Sequence, residues 1–490
     1  MINSLRSFRL NNNLLLLIFA GGIIMYRLLI CINYTPEISV GETNNIWNAL
    51  NVANGRSMYC NPEDTPFEIF QYTPLSQFPI VVLAKMYNSQ SPNYYYNVLV
   101  SGRILSLMLN ILTFYLIFLL LFKRLKIDKT ISLAAAVAGF GLLTHLAFAV
   151  RPDALSLCLT ILSVYIFSIA YFEGNVRYLV FSGLLFALSF FAKQDSFLIL
   201  SALGLCLLIQ KQWKSIMIVA FSFLSSFGVF LMIFYFIFGK YFFLSIIGGL
   251  AQGYSLHQAF DVFERFLHFY SVWFYLGLFC SYIVIKRAPL NKMGVFVLSL
   301  SSMSFCIALS TSFKFGSWIN YYTQYIIYTV ILIYYVVDLV KTNKQVIVNG
   351  VTYFTIITVS FFVFFQVMHY TSPFLKYSES KSKHEVLMSQ FSNFKKKIEA
   401  TNQLVFTFDK QLKLFFYKNT LFPNTEYYHH SLFSTVGYNN LQSKKKLSFV
   451  LLNNELGSEQ LMTLNYYKID FTRFEKSNDK LNYSIYEFKR

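Results

Sequence analysis

A carboxylate followed by amide and aromatic side chains stands directly after the first long apolar run of the chain. Glu42 precedes Asn44, Trp47 and Asn48. A carboxylate beside a membrane can act as a general base on a hydroxyl group, or it can hold a metal ion or a substrate hydroxyl. A solvated loop acid is the alternative interpretation. The sequence therefore indicates Glu42 as a candidate for chemistry and leaves these roles open.

Charged residues also stand where other apolar runs begin or end. Arg151-Pro152-Asp153 begins one run, and Lys193-Gln194-Asp195 separates two others. Pro and Asp suit the first turn of a helix, so Arg151 is either a snorkelling residue beside a helix cap or a clamp for a phosphate. A lysine at headgroup depth can pair with a lipid-linked phosphate. The sequence gives Lys193 this candidate role.

Two further features combine polar groups with apolar surroundings. The segment Lys314–Gln324 (KFGSWINYYTQ) contains a cation, small residues, amides and tyrosines, a set that suits a sugar. A belt of Trp and Tyr at a membrane interface is the alternative. Arg27 lies inside an apolar run, where an arginine is energetically costly and indicates a functional site unless it snorkels to the headgroups.

The elements that must position these side chains are membrane helices. The 490 residues are 56% hydrophobic and 13% charged. In a soluble globular protein about a quarter of the residues are charged. This composition excludes a disordered chain, a disulfide scaffold and an ordinary soluble enzyme. It predicts a polytopic α-helical membrane protein.

Apolar runs near the 20 or so residues needed to cross a bilayer recur along the chain. We predict eleven transmembrane helices, at residues 12–33, 98–122, 130–149, 154–172, 178–192, 195–210, 215–238, 267–285, 293–312, 320–340 and 348–369. The long loop 34–97 contains Gln77–Tyr87, which is apolar but too short to span. We expect an interfacial or re-entrant helix there.

The basic residues predict the orientation of these helices. Lys and Arg fall in every second loop, which places the N-terminus in the cytoplasm and the loop 34–97 on the outer side. The net charge of +18 then indicates contact with anionic lipid rather than with nucleic acid. Rich use of Asn, Lys, Ile and Phe is typical of an AT-rich bacterial genome, so we expect a bacterial plasma (inner) membrane.

The C-terminal part of the chain differs in kind. We predict a transmembrane domain over residues 1–370 and a small extracytoplasmic α/β domain over 371–490. A helix is expected at Ser378–Lys397, and strands are expected at Leu404–Phe408, Ser448–Leu452, Tyr466–Phe471 and Tyr483–Phe488. About a hundred residues suffice for a modest core, and the strand-rich composition suits recognition of an acceptor.

The order of these short motifs resembles the GT-C superfamily of membrane glycosyltransferases. The nearest group is that of the protein O-mannosyltransferases and lipid A aminoarabinose transferases with their bacterial relatives. The resemblance covers roughly residues 10–330 and is carried by an acidic residue after the first span, Tyr72-Thr73-Pro74-Leu75, Arg103 at the start of the second span, Arg151-Pro152-Asp153 and Phe191-Ala192-Lys193.

The resemblance implies an inverting glycosyltransferase. Such an enzyme moves a sugar from a polyprenyl-phosphate donor to a hydroxyl of a lipid, glycan or protein on the outer face of the membrane. Its catalytic carboxylate lies in an Asp-Glu pair, which appears here as Gly41-Glu42. Glu42 would therefore act alone as the base, or Glu37 would substitute. No cofactor or metal ligand is implied, and a divalent metal ion stays open.

The resemblance also implies a set of substrate-binding residues, in which cations meet the departing phosphate and polar side chains hold the sugar. The set is Arg27, Tyr72, Arg103, Arg151, Asp153, Lys193, Lys314, Asn320 and Tyr321. Two other functions remain as alternatives. One is a transporter or flippase of lipid-linked glycans, for which we see no inverted repeat, and the other is a non-catalytic scaffold of the GT-C type.

Overall fold

The computed structural model describes fourteen stretches of the chain. They are residues 11–33, 37–39, 41–61, 70–91, 93–144, 148–250, 253–287, 291–340, 344–370, 377–407, 409–420, 447–453, 474–480 and 483–488. Helices form most of the described chain up to Thr401, and a small sheet follows.

The described helices are α1 (Asn12–Asn33), α2 (Glu42–Ala53), α3 (Pro74–Met86), α4 (Tyr94–Leu119), α5 (Lys129–Gly141), α6 (Pro152–Glu173), α7 (Arg177–Ala192), α8 (Leu200–Ile209), α9 (Trp213–Phe238), α10 (Lys240–Leu250), α11 (Leu256–Arg287), α12 (Lys292–Ser312), α13 (Thr323–Val340), α14 (Lys344–Tyr370), α15 (Tyr377–Thr401) and α16 (Lys410–Phe415). The described strands are β1 (Leu404–Thr407), β2 (Leu447–Asn453), β3 (Phe474–Lys480) and β4 (Tyr483–Phe488).

The prediction of a polytopic helical membrane protein is confirmed. In the described part of the chain, 8 helices are long and apolar enough to cross a membrane. Each of the eleven predicted spans corresponds to a helix, but those at 130–149, 178–192 and 195–210 correspond to the shorter helices α5, α7 and α8. The end predicted for the first of these was wrong, because α5 ends at Gly141.

Arg27 explains why α5 ends early. Its guanidinium is buried and donates to the carbonyl oxygens of Phe140 at 2.8 Å, Gly141 at 3.2 Å and Leu143 at 2.8 Å. The last carbonyls of a helix have no partner within the helix, and a basic side chain can satisfy them. These contacts account for an intramembrane arginine as a cap of α5. They give no support to the predicted role of Arg27 in substrate binding.

Close helix packing holds the bundle together. Helix α6 packs between α4 and α7, and α7 packs against α9. A Cβ atom added at Gly183 in α7 would lie 2.8 Å from the carbonyl oxygen of Val219 in α9. Small residues let membrane helices approach in this way. The close approach fixes the position of α7, whose C-terminal end carries Lys193.

Two helices lie within the loop predicted at 34–97. Helix α3 confirms the short helix expected at Gln77–Tyr87 and begins three residues earlier, at Pro74, where proline suits a first turn. Helix α2 was not predicted. Its residues Glu42–Asn51 are all buried, so polar and apolar side chains face protein on every side. A helical period is nevertheless present in its sequence, since Ile46, Trp47, Leu50 and Ala53 recur at helical spacing.

The C-terminal segment forms a helix and a small sheet. Helix α15 confirms the helix expected at Ser378–Lys397. The strand order is β1-β2-β4-β3, with β1 parallel to β2 and the other pairs antiparallel. Strands β1, β2 and β4 match predicted strands, and β3 was not predicted. The strand expected at Tyr466–Phe471 lies outside the described residues, and the domain boundary at residue 370 stays a prediction.

This segment packs against α2 and the start of α4. The Asn51 Nδ2 atom donates to the carbonyl oxygen of Tyr417 at 3.3 Å, and the rings of Tyr94 and Tyr417 are 5.9 Å apart. We call the end of the bundle that carries α2 and α3 the α2 end. At the opposite end, Arg124 pairs with Glu173.

Candidate functional site

Four charged side chains form a chain of ion pairs at the α2 end. Arg151 Nε lies 2.9 Å from Asp153 Oδ2, and Lys193 Nζ lies 3.2 Å from Asp153 Oδ1. Lys193 Nζ also lies 3.2 Å from Asp195 Oδ2. We call Arg151, Asp153, Lys193 and Asp195 the charge cluster. Its side chains are 11–25% exposed, so they are reachable from solvent but largely shielded from it.

The turn that precedes α13 joins the charge cluster. Asn320 Nδ2 donates to Asp153 Oδ1 at 2.9 Å, and Lys193 Nζ lies 4.8 Å from the centre of the Tyr321 ring. A cation over an aromatic face is attracted by the ring quadrupole. Residues that are more than 160 positions apart in the sequence therefore meet at Asp153.

Each of these side chains stands where a helix begins or ends. Pro152 opens α6 and places Asp153 in its first turn. Lys193 follows α7 with extended backbone, and a 3₁₀ turn at Ser196–Ile199 comes next. Asn320 and Tyr321 lie in a 3₁₀ turn at Ile319–Tyr322. Helix ends at the same side of a bundle bring these residues together without any shared sequence motif.

Lys314 lies within electrostatic range of the cluster. Burial lowers the pKa of Lys314, and its interactions with Asp195 and Lys193 act in opposite directions. Burial would also lower the pKa of Lys193, but the carboxylates of Asp153 and Asp195 raise it above its ordinary value. The surroundings therefore hold Lys193 in its charged form and make Lys314 the cation that loses its proton more readily.

Tyr72 reaches the same region through the loop before α3. Gln194 Nε2 donates to the carbonyl oxygen of Gln71 at 2.6 Å, which ties this loop to the end of α7. Tyr72 interacts electrostatically with Tyr321. The structure thus brings together six of the predicted substrate-binding residues: Tyr72, Arg151, Asp153, Lys193, Asn320 and Tyr321.

Glu42 makes a second, separate set of contacts. Its Oε1 atom accepts from Arg103 Nε at 2.9 Å and from the backbone N–H of Val150 at 2.8 Å. Its Oε2 atom accepts from Arg103 Nη2 at 2.6 Å and from the backbone N–H of Ile38 at 2.9 Å. The ion pair is bidentate, and Glu42 and Arg103 are 1% and 0% exposed. This is the strong, directional form of the Arg–carboxylate pair.

These contacts give no support to the role of general base expected for Glu42. An ionised carboxylate offers about four lone-pair sites, and four donors occupy those of Glu42. Arg103 is bound in the same pair, so its predicted contact with substrate is not supported either. Both predicted roles stay predictions.

The ion pair of Glu42 and Arg103 fixes the backbone of Val150, the residue that precedes Arg151. Glu42 binds the N–H of Val150, and Asn45 Nδ2 donates to the carbonyl oxygen of Val150 at 3.0 Å. Gln77 Nε2 donates in turn to Asn45 Oδ1 at 3.0 Å. We call Glu42, Arg103 and Asn45 the Val150 clamp. Because both polar groups of Val150 are bound, the backbone that carries Arg151 is held in one position.

The segment between α1 and α2 completes the surroundings of Arg151. Arg151 Nη1 donates to Ser39 Oγ at 3.0 Å. Glu37 Oε1 accepts from the backbone N–H of Thr43 at 3.0 Å, and Glu37 is only partly buried. A carboxylate is stabilised at the start of a helix. Glu37 therefore lies two residues before Ser39, the hydrogen-bond partner of Arg151, and is more accessible to solvent than Glu42.

Ser39, Asn45 and Gln77 were not among the predicted site residues. Their role depends on backbone atoms of Val150 and on Arg151, which no local pattern reveals. The amide-rich composition of α2 was the available signal. Within the described residues, no group of three His, Cys, Asp or Glu side chains could hold a metal ion.

Comparisons with known proteins show which fold the helical bundle has. Residues 96–238 match the family model described as dolichyl-phosphate-mannose-protein mannosyltransferase, and this range contains Arg103, Arg151 and Lys193. The structure of ArnT from Cupriavidus metallidurans bound to undecaprenyl phosphate is similar, with a TM-score of 0.64 and 8% sequence identity. The match covers 96% of this chain and 97% of the ArnT chain. The chain has the GT-C fold.

Two structures of the Archaeoglobus fulgidus oligosaccharyltransferase are also similar. The apo form gives a TM-score of 0.59 at 11% identity over 92% of this chain and 71% of that chain. The complex with an inhibitory peptide and a dolichol-phosphate gives 0.50 at 12% identity over 91% and 71%. No curated protein matches the sequence. At these identities the likeness establishes the fold, and the GT-C resemblance predicted from the sequence is confirmed.

The clamp predicts strong coupling between Glu42 and Arg103. Removing one partner of a buried ion pair costs about 3–5 kcal/mol, because the other charge stays buried and unpaired. We expect Glu42→Gln and Arg103→Met each to lower the free energy of unfolding by about this amount. The double variant should lose clearly less than the sum. Unfolding in detergent with increasing SDS measures all four proteins, and additive losses would show that the two residues act independently.

Proposed function

We propose that this protein is an inverting glycosyltransferase of the GT-C type. It moves a sugar from a polyprenyl-phosphate donor to a hydroxyl of a lipid, glycan or protein acceptor. The observation that carries the proposal is the charge cluster: within a GT-C fold, Arg151 and Lys193 are held side by side on Asp153 at one end of the helical bundle. The family model matched by residues 96–238 supports the same chemistry.

The cations suit a departing phosphate. When the bond between the sugar and the phosphate breaks, negative charge develops on the polyprenyl phosphate. Preorganised donors aimed at such charge give large rate effects, and arginine and lysine bind phosphate as a fork and as a point charge. Asp153 holds Arg151 and Lys193 in place before the donor arrives. Lys314 adds a third cation within electrostatic range of Lys193.

The polar side chains near Lys193 suit the sugar. Asn320 already donates to Asp153, and the Tyr321 ring lies against the ammonium group of Lys193. Together with Tyr72 they offer hydroxyl groups and an amide beside the proposed phosphate site. We assign these three residues to contacts with the hydroxyls of the transferred sugar.

The acceptor hydroxyl needs a base within hydrogen-bond reach. Glu42 is saturated by Arg103 and two backbone N–H groups, so we assign this step to Glu37. The acceptor oxygen attacks the anomeric carbon from the side opposite the phosphate, its proton passes to Glu37, and the bond from the anomeric carbon to the phosphate oxygen breaks. The configuration at that carbon inverts, and polyprenyl phosphate leaves.

Turnover of a lipid-linked sugar tests this assignment. The purified protein in liposomes is incubated with a panel of polyprenyl-phosphate-linked pentoses and hexoses together with a membrane extract that supplies lipid, glycan and protein acceptors, and loss of sugar from the donor is measured. General base catalysis contributes about 10²–10⁴-fold, so we expect Glu37→Gln to lower kcat by about 100-fold or more, with little change in the donor KM or in thermal stability.

The matched variant is Glu42→Gln, which should lose stability as described above. Full turnover in Glu37→Gln would refute its role as the base. Loss of turnover in Glu42→Gln without loss of stability would return that role to Glu42.

A non-catalytic scaffold is the second candidate function, and Gly41 favours it. This residue occupies the position of the family's aspartate, and its φ is +87°, a conformation that residues with a Cβ rarely adopt. The backbone is thus adapted to glycine there. Absence of donor turnover with every member of the panel would favour the scaffold. No described feature favours a transporter.

We also propose that the α2 end faces the outside of the cell, as the basic loops predict. Cys60 lies at this end and is partly exposed, and Cys306 is the other cysteine that is not buried. In a Cys306→Ser protein, a membrane-impermeant maleimide should label intact cells at Cys60. The control is Asn175→Cys at the opposite end, in a protein that also carries Cys60→Ser and Cys306→Ser, which should be labelled only after permeabilisation. The reverse pattern would contradict the orientation.

A further inference from the structure

A cleft opens beside the N-terminal half of α11. Its volume is about 830 Å³, which lies in the range of small-molecule sites. The residues that line it are Asp261, Glu264, Arg265, Leu267, His268, Phe269, Trp318 and Ile319. None of the proposed catalytic or phosphate-binding residues is among them, so the chemistry proposed above leaves this cleft without a role.

The polar lining comes from one face of a helix. Asp261, Glu264, Arg265 and His268 follow one another at the spacing i, i+3, i+4 and i+7, which places them on the same side of α11. Among the described lining residues, two carboxylates stand beside one guanidinium, and Asp261 Oδ2 also lies 3.0 Å from His257 Nδ1. Carboxylates disfavour a phosphate and favour a ligand with hydroxyl or amine groups.

A flat aromatic wall faces this polar helix. The guanidinium carbon of Arg265 lies 4.3 Å from the centre of the Trp318 ring, in the geometry of a cation–π contact. Gln258 Nε2 donates to the carbonyl oxygen of Ser317 at 3.0 Å, which fixes the backbone beside the tryptophan. Trp318 remains 38% exposed. Arg265 covers one face of the ring, and the other face can pack on the C–H face of a sugar ring whose hydroxyls donate to the acids.

The cleft and the charge cluster share one short turn. Trp318 lines the cleft, and Asn320, two residues later, donates to Asp153 in the cluster. Two residues of chain span at most about 7 Å. A ligand seated against Trp318 therefore contacts the turn that also carries Asn320.

We propose that this cleft binds the acceptor, and that the bound part is a neutral or amine-bearing glycan. The proposal rests on the proposed function. It divides the site by charge: the cations of the cluster take the donor phosphate, and the acidic cleft takes a polyhydroxylated acceptor. Trp318 supplies the stacking surface, and Asp261 and Glu264 accept hydrogen bonds from hydroxyl or ammonium groups.

Binding is tested with the full chain in nanodiscs, in the absence of donor. Cellotetraose serves as a neutral probe and the chitosan tetramer as an amine-bearing probe, each followed by tryptophan fluorescence. We expect a saturable change with at least one tetrasaccharide. No binding of either tetrasaccharide would overturn the proposal.

Variants link the binding to the cleft. The double variant Asp261→Asn with Glu264→Gln should weaken binding of the tetrasaccharide by about tenfold or more, the equivalent of 1.4 kcal/mol. The control Glu173→Gln removes an exposed acid at the opposite end of the bundle and should bind as the unmodified chain does. Equal affinity in the double variant and in this control would place the glycan elsewhere.

The two proposals fail in different ways. Tetrasaccharide binding that depends on Asp261 and Glu264, without any turnover of donor, would refute the transferase and keep the cleft as a glycan site. Donor turnover with an acceptor KM that the double variant leaves unchanged would keep the transferase and refute the cleft as its acceptor site.

Discussion

The buried ion pair between Glu42 and Arg103 is the contact on which the rest of the site depends. Burying two charges is costly unless the geometry is good and the remaining hydrogen-bonding capacity is used. Here the pair is bidentate, and two backbone N–H groups complete the carboxylate. One of those groups belongs to Val150, so the same interaction that stabilises the pair also fixes the backbone leading to Arg151.

From that fixed point, charge organises the α2 end of the molecule. Arg151 and Lys193 both bind Asp153, and the carboxylates of Asp153 and Asp195 raise the pKa of Lys193 against the effect of burial. The two cations of the proposed phosphate site are therefore held in place by carboxylates before any ligand arrives. In the cleft next to it, the described acids Asp261 and Glu264 stand beside the single guanidinium of Arg265. One turn of chain separates the two environments.

Much of the fold could be predicted from the sequence, because apolar length and the spacing of basic residues are local properties. The same holds for Arg151, Asp153 and Lys193, which stand out as charged residues at the ends of apolar runs. The contacts of Lys193 and Asn320 with Asp153 could not be predicted, because they join chain segments that are distant in sequence.

The errors have equally physical causes. Helix α2 was missed although its apolar residues recur at helical spacing, because its many polar residues are also typical of a loop. The contacts of Glu42 could not be foreseen, because its partner Arg103 lies 61 residues away in the sequence. The end of α5 depends on Arg27 from another helix. In α11 the span expected at 267–285 left out the preceding turns, whose residues Asp261, Glu264 and Arg265 line the cleft together with His268. Its i, i+3, i+4, i+7 spacing was visible in the sequence.

The central claim is that the charge cluster binds the phosphate of a polyprenyl lipid. Native mass spectrometry of the purified chain with undecaprenyl phosphate tests it most directly, through a comparison of Lys193→Met with Lys129→Met, which removes an exposed lysine at the opposite end of the bundle. The account predicts that the unmodified chain and Lys129→Met retain the lipid equally, whereas Lys193→Met, still folded, retains about tenfold less, a loss of about 1.4 kcal/mol. Equal retention by all three proteins would contradict it.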